Sequence, residues 1–132
     1  MGRIIKRPQP HTDEPAKPVR YVLYARKSSE GEDAQAQSVP DQIKYCMDYA
    51  KRDGLLVVGN PVEENASAWT SNNRPKFTQL LADIANGKYD GILSWHPDRL
   101  SRNMLESGMI MDMLDSGIIK DLKFPTMQFS NN

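Results

Sequence analysis

Two hydrophobic periods alternate along this chain, and that alternation constrains its fold more than any other feature. "YVLYA", 21–25, is β-rich and almost continuously apolar, as expected of a strand covered on both faces. From Val39 the period becomes helical: Val39, Ile43, Cys46, Met47 and Ala50 recur behind a Ser38 N-cap, with Asp41 three residues on, until Gly54. "LLVVG", 55–59, gives a second strand. Pro75 starts a second helix whose stripe is Phe77, Leu80, Leu81 and Ile84, ended by Gly87. "YDGILSW", 89–95, is a third strand, residues 103–116 are a third helix stopped near Gly117, and an apolar piece around Leu122–Phe124 adds a further strand. This order predicts an α/β domain with a mostly parallel central sheet of about four to five strands flanked by helices.

The 132 residues match one compact domain with an ordinary core. Residues 1–20 hold four prolines among polar and basic side chains and read as a flexible tail, leaving 21–132 as the folded unit. The lone Cys46 excludes an internal disulfide and a cysteine-built zinc site, and fits a reducing compartment. No apolar run approaches the roughly 20 residues needed to span a bilayer, and no signal-peptide pattern is present, so the expectation is a cytoplasmic protein without a membrane partner. Residues 1–20 carry five Lys/Arg against two Asp/Glu, leaving twelve against fifteen in residues 21–132. A body with that acidic excess is no general polyanion binder; nucleic acid would have to be met by a local positive cluster.

Such a cluster is suggested where ligands gather in open parallel sheets, outside the carboxyl ends of the strands. Tyr24–Ser28 leaves the first strand there, the polar loop 63–73 follows the second, and "HPDRLSR", 96–102, follows the third. Side chains alternate along a strand, so Tyr24, Arg26 and Ser28 share a face while Lys27 and Ser29 look away, which favours Ser28 over Ser29 as a nucleophile. If "DRLSR" opens a helix, Arg99 and Arg102 lie three apart at its start, with Asp98 placed to hold one of them. Arginines there oppose the helix dipole, an arrangement easier to understand around a bound anion than as a surface ion-pair patch. With Arg26 and Arg74 they form a set of guanidinium forks suited to phosphate oxygens, and a serine beside them suggests hydroxyl attack on a phosphodiester. No cofactor or metal is required; Glu63, Glu64, Asp90 and Asp98 lack a recognisable ligand spacing. Neither His11 in the tail nor His96 before Pro97 makes a good general base, and the proton acceptor stays unassigned.

Four stretches in order, "YARKSS", "QSVPDQ", "RPKF" and "DRLSR", resemble the catalytic domain of the serine recombinases, the resolvase/invertase group, over about residues 20–125. The longer spacing between Ser28 and Gln37 leans toward the large-recombinase branch. The resemblance implies a resolvase catalytic-domain-like fold. It implies that Ser28 is the nucleophile, forming a 5′-phosphoserine link to double-stranded DNA and releasing a 3′-hydroxyl. It implies that Arg26, Arg74, Arg99 and Arg102 contact the scissile phosphate while Asp98 orients them, with Gln42, Glu64, Gln37 and Tyr24 matching polar family positions in support.

The family continues into a long helix that builds dimers and tetramers and then into DNA-binding domains, whereas this sequence stops at Asn132. The expectation is therefore a domain of a longer site-specific recombinase, nucleoid-associated when acting, that alone binds DNA weakly and is inactive or nearly so. A catalytically inert assembly or regulatory module of the same fold is the alternative. A small phosphate-ester hydrolase is disfavoured by the lack of a glycine-rich phosphate loop.

Overall fold

The computed structural model describes residues 17–27, 38–64, 74–101 and 103–127. Strand β1 (Arg20–Arg26) is central; helix α1 (Val39–Asp53), short strands β2 (Leu56–Val57) and β3 (Val62–Glu64), and helix α2 (Pro75–Ala85) follow. Strand β4 (Gly91–Ser94), a single helical turn α3 (Pro97–Leu100), helix α4 (Met104–Asp115) and strand β5 (Asp121–Lys123) complete the order. All pairings are parallel. The sheet runs β2-β1-β4-β5, and β3 extends the β2 edge by pairing with the second half of β1.

The predicted second strand, 55–59, is shortened to Leu56–Val57, which pairs with Arg20 and Tyr21; the chain then leaves the ladder through Gly59 and Pro61 and returns as a further strand, Val62–Glu64, beside Tyr24–Arg26. A proline cannot donate to the ladder and a positive-φ glycine breaks the extended geometry, so the interruption falls on those residues. The loop predicted over 63–73 accordingly has its first two residues in β3.

Both faces of β1 are covered. Val22 and Tyr24 pack with Phe77, Leu80 and Ile84 of α2, Leu100 of α3 and Ile110 of α4. Tyr21, Leu23 and Ala25 pack with Cys46 and Ala50 of α1. Large side chains fully buried in this way stabilise by about 1.5–3 kcal/mol each relative to exposure. Helix α1 begins at the predicted cap, where Ser38 Oγ accepts from Asp41 N at 3.2 Å, and ends at Gly54 with φ 71°. Its inner stripe differs by one place from expectation: Gln42 is buried with Cys46 and Ala50, while Met47 is exposed. Burial pushes the Cys46 thiol up to about 12, which keeps it neutral and unreactive. Gly91 is required by close approach, since a Cβ there would meet the Asp121 carbonyl oxygen at 2.9 Å and the Tyr21 ring at 3.1 Å. No helix among the described residues is long and apolar enough to cross a membrane.

Candidate active site

Because β1, β3 and β4 are parallel, their carboxyl ends lie on one edge, and the described polar segments that leave them meet there. Arg26 ends β1. Its guanidinium passes under the α3 turn: Nε donates to the Arg99 carbonyl at 3.3 Å, one terminal nitrogen to the Lys27 carbonyl at 3.4 Å, and the other to the Asp98 carbonyl. The backbone of Arg26 is held equally closely. Strand β4 stops pairing at Ser94 opposite Tyr24, so the next outward-facing peptide groups of β1 need another partner. Gln42 supplies it from α1, its Oε1 accepting from Arg26 N at 3.3 Å and its Nε2 donating to Arg26 O at 2.9 Å.

Arg74 precedes α2 and is also buried. Its guanidinium lies 3.9 Å from the Phe77 ring centroid and 5.5 Å from that of Tyr24. Nε and one terminal nitrogen donate to Tyr24 Oη at 3.3 and 3.2 Å; the same terminal nitrogen reaches the Leu100 carbonyl. The other terminal nitrogen meets Glu106 Oε1 at 2.8 Å. Tyr24 passes the chain on by donating to Glu64 Oε1 at 2.8 Å. Burial pushes the Tyr24 hydroxyl well above its ordinary value, against the opposing pull of Arg74.

Glu64 ends β3, and its role is structural at first sight. Helix α2 has Arg74 at its N-cap position and no side-chain cap of its own. The Glu64 carboxylate takes that place from across the sheet, accepting from Lys76 N at 3.0 Å and Phe77 N at 2.9 Å. A carboxylate on free N–H groups at a helix start is a favourable pairing. The sequence offered Glu64 as a polar family match; its capping duty is visible only once β3 and α2 are brought together.

Arg99 departs from expectation. The helix at "DRLSR" is a single turn: α3 ends at Ser101 in extended backbone, and α4 starts afresh behind an Asn103 cap, within the predicted 103–116. Arg99 therefore sits in the last turn of α3, where a cation suits the dipole, rather than at the start of a long helix. The break has a local cause. His96 caps α3 by accepting from Asp98 N at 3.2 Å, and Asn103 Oδ1 caps α4 by accepting from Glu106 N at 2.9 Å, two start signals seven residues apart. Arg99 is buried, stacks 5.2 Å from the Trp95 ring and pairs through one terminal nitrogen with Asp98 Oδ1 at 3.0 Å. Among the described residues, Arg99 Nε and Trp95 Nε1 are the buried side-chain donors without a partner. The Asp98 carboxylate is 62% exposed and also 3.1 Å from His96 Nδ1, so it tethers Arg99 loosely.

Three buried guanidinium groups, on Arg26, Arg74 and Arg99, thus gather at one sheet edge. Burial, and next the like charge of Arg74, pull Arg26 below its ordinary value, with Arg99 adding to the effect and Tyr24 and Asp98 opposing it. Arginine stays charged under such pressure. The predicted Ser28, Gln37 and Arg102 lie outside the described residues. Glu106 and the α3 carbonyls escaped the sequence reading, although Asn103-x-x-Glu106 carries the spacing of a capping box. Among the described residues no group of three or more His, Cys, Asp or Glu side chains is arranged to hold a metal ion.

A parallel, helix-covered sheet with an arginine cluster at the carboxyl ends of its strands defines a class of α/β domain suited to meeting an anion at that edge. The family model for the resolvase N-terminal domain matches residues 21–120, and the chain belongs to that family. It is 29% identical over 93 residues to a putative DNA recombinase of Bacillus subtilis strain 168, a match over 70% of this chain that spans only 18% of the relative. The crystal structure of the N-terminal catalytic domain of TP901-1 integrase superposes with a TM-score of 0.65 at 26% identity, covering 81% of this chain and 77% of that one. The C-terminal catalytic domain of ISC1926 TnpA, an IS607-like serine recombinase, superposes with a TM-score of 0.58 at 25% identity, covering 80% and 68%.

Proposed function

We propose that this chain is the catalytic domain of a longer site-specific DNA recombinase that cuts and rejoins DNA by serine transesterification. Ser28 Oγ attacks the scissile phosphorus, the Oγ–P bond forms as the P–O3′ bond breaks, and the 3′-oxygen leaves as a hydroxyl while the serine proton passes to an acceptor. Arg26, Arg74, Arg99 and Arg102 stabilise the charge that grows on the phosphoryl oxygens, and Asp98 orients Arg99. Reversal with a different 3′-hydroxyl exchanges strands. Double-stranded DNA is the substrate, and a dimer or tetramer of the longer protein brings the strands together.

One observation carries this reading. Arg26 is buried, with two other guanidinium groups beside it, at the end of the strand that leads within two residues to Ser28. Like charges are not gathered and desolvated without a cost of several kcal/mol, which a bound phosphate would offset. The internal bonding of Arg26 and Arg74 favours a second reading, an inert module in which the arginines only staple α3 and α4 to the sheet. Ser28→Ala in the longer recombinase separates the two. The catalytic reading expects wild type to form a covalent protein–DNA adduct on its site and the alanine variant to form none, with site binding kept. An adduct in the alanine variant would remove Ser28 from the mechanism.

A further inference from the structure

The arginine that the proposed function assigns to phosphate is already occupied by an anion from within the chain. Arg74 has one guanidinium edge turned inward, onto Tyr24 Oη and the Leu100 carbonyl. The remaining terminal nitrogen is met by Glu106 Oε1 at 2.8 Å. Only 3% of the Arg74 side chain and 14% of that of Glu106 are accessible. A carboxylate and a phosphate present similar oxygen pairs to an arginine fork. Two anions cannot share that one nitrogen without strong repulsion.

The helix that carries Glu106 is packed more shallowly than the arginine it covers. Glu106 stands in the first turn of α4, held by the Asn103 cap, beside Met104 and Leu105, which are more than four-fifths exposed. Along the whole helix only Ile110 is fully buried. Arg74, by contrast, is fixed between Phe77 and Tyr24 over the body of the sheet. If one of the pair moves, it is the first turn of α4. We propose that the Glu106 carboxylate is a built-in occupant of the anion position on Arg74, so that a phosphate reaches this arginine only after Glu106 withdraws. The first turn of α4 is thereby a gate on the site.

The gate rests on reading Arg74 as a phosphate ligand, so its test is chosen to tell the two apart. The labelled 132-residue chain is titrated with inorganic phosphate while the Nε–Hε resonances of Arg26, Arg74 and Arg99 and the Glu106 Cδ resonance are followed by NMR. Glu106→Gln keeps the shape and removes the charge; it should bring the Arg74 half-saturation point down at least tenfold. In wild type, which needs no substitution to fold, Glu106 Cδ should move in step with Arg74. Equal half-saturation in both proteins, or an Arg74 shift in wild type without a Glu106 shift, overturns the gate and leaves the phosphate site standing. If Arg99 responds while Arg74 is silent in both proteins, the gate again falls and the site survives through Arg99. Silence from all three arginines in both proteins overturns the gate together with the anion-site reading beneath it.

Discussion

Glu64→Ala should lower the stability of the domain by about 3–5 kcal/mol, the loss of one acceptor shared by three desolvated donors. The carboxylate is buried and accepts from Tyr24 Oη, Lys76 N and Phe77 N. Alanine leaves two helix N–H groups and one hydroxyl without their acceptor, each worth about 1–3 kcal/mol when desolvated. It also removes a negative charge from beside the Tyr24 hydroxyl that accepts from Arg74, whose carboxylate partner among the described residues is Glu106. Against a net stability on the order of 5–15 kcal/mol, this loss is a large fraction. For a domain of this size a melting temperature lower by roughly 10–20 °C is expected. Glu64→Gln retains an acceptor oxygen but turns an amide NH2 toward an N–H donor, and should fall between. Thermal melts at neutral pH provide the check, and a loss below about 1 kcal/mol for the alanine variant would mean that the cap is dispensable.

Arg99→Met should behave in the opposite way, with little effect on folding and a large one on chemistry. Methionine keeps the stem against Trp95 and removes a buried charge whose Nε has no partner among the described residues and whose tether to Asp98 is solvent-exposed. Replacing an incompletely compensated buried ion by an apolar side chain of similar volume is often neutral or stabilising by about 1–4 kcal/mol. Losing one preorganised donor to a transition-state oxyanion typically costs a factor of about 10²–10³ in rate. The longer recombinase carrying Arg99→Met should therefore melt at or above the wild-type temperature yet cleave DNA about 10²–10³-fold more slowly. A variant that melts well below wild type would assign Arg99 to the architecture instead.

The contrast between these two residues explains what was legible in the sequence. Period alone placed β1, α1 and α2, because their apolar faces are long and their caps local: Ser38 and Gly54 sit at the ends of the helix they bound. The β2–β3 edge was not legible in this way. Its two short pieces pair with opposite halves of β1, and no local period reports a strand that leaves the ladder and returns. At the site, residue types pointed to Arg26, Arg74 and Arg99, which the fold does gather. Their partners were hidden because they are long-range: Glu64 caps a helix that starts eleven residues later, and Glu106 reaches an arginine thirty-two residues earlier. That α3 stops after one turn was not legible, because His96 and Asn103 each suffice to begin a helix and no local period separates the two starts.

The account stands or falls on which atom becomes joined to DNA. Adducts trapped from the longer recombinase on its own site can be digested with trypsin, which cuts after Lys27 and Lys44 and releases the stretch 28–44. That peptide holds three serines, at 28, 29 and 38. Fragmentation by mass spectrometry should locate the nucleotide remnant on Ser28 Oγ, as a phosphodiester to a 5′ end. A remnant on Ser29, on Ser38 or on any other peptide, or a 3′-linked phosphate in its place, would contradict it.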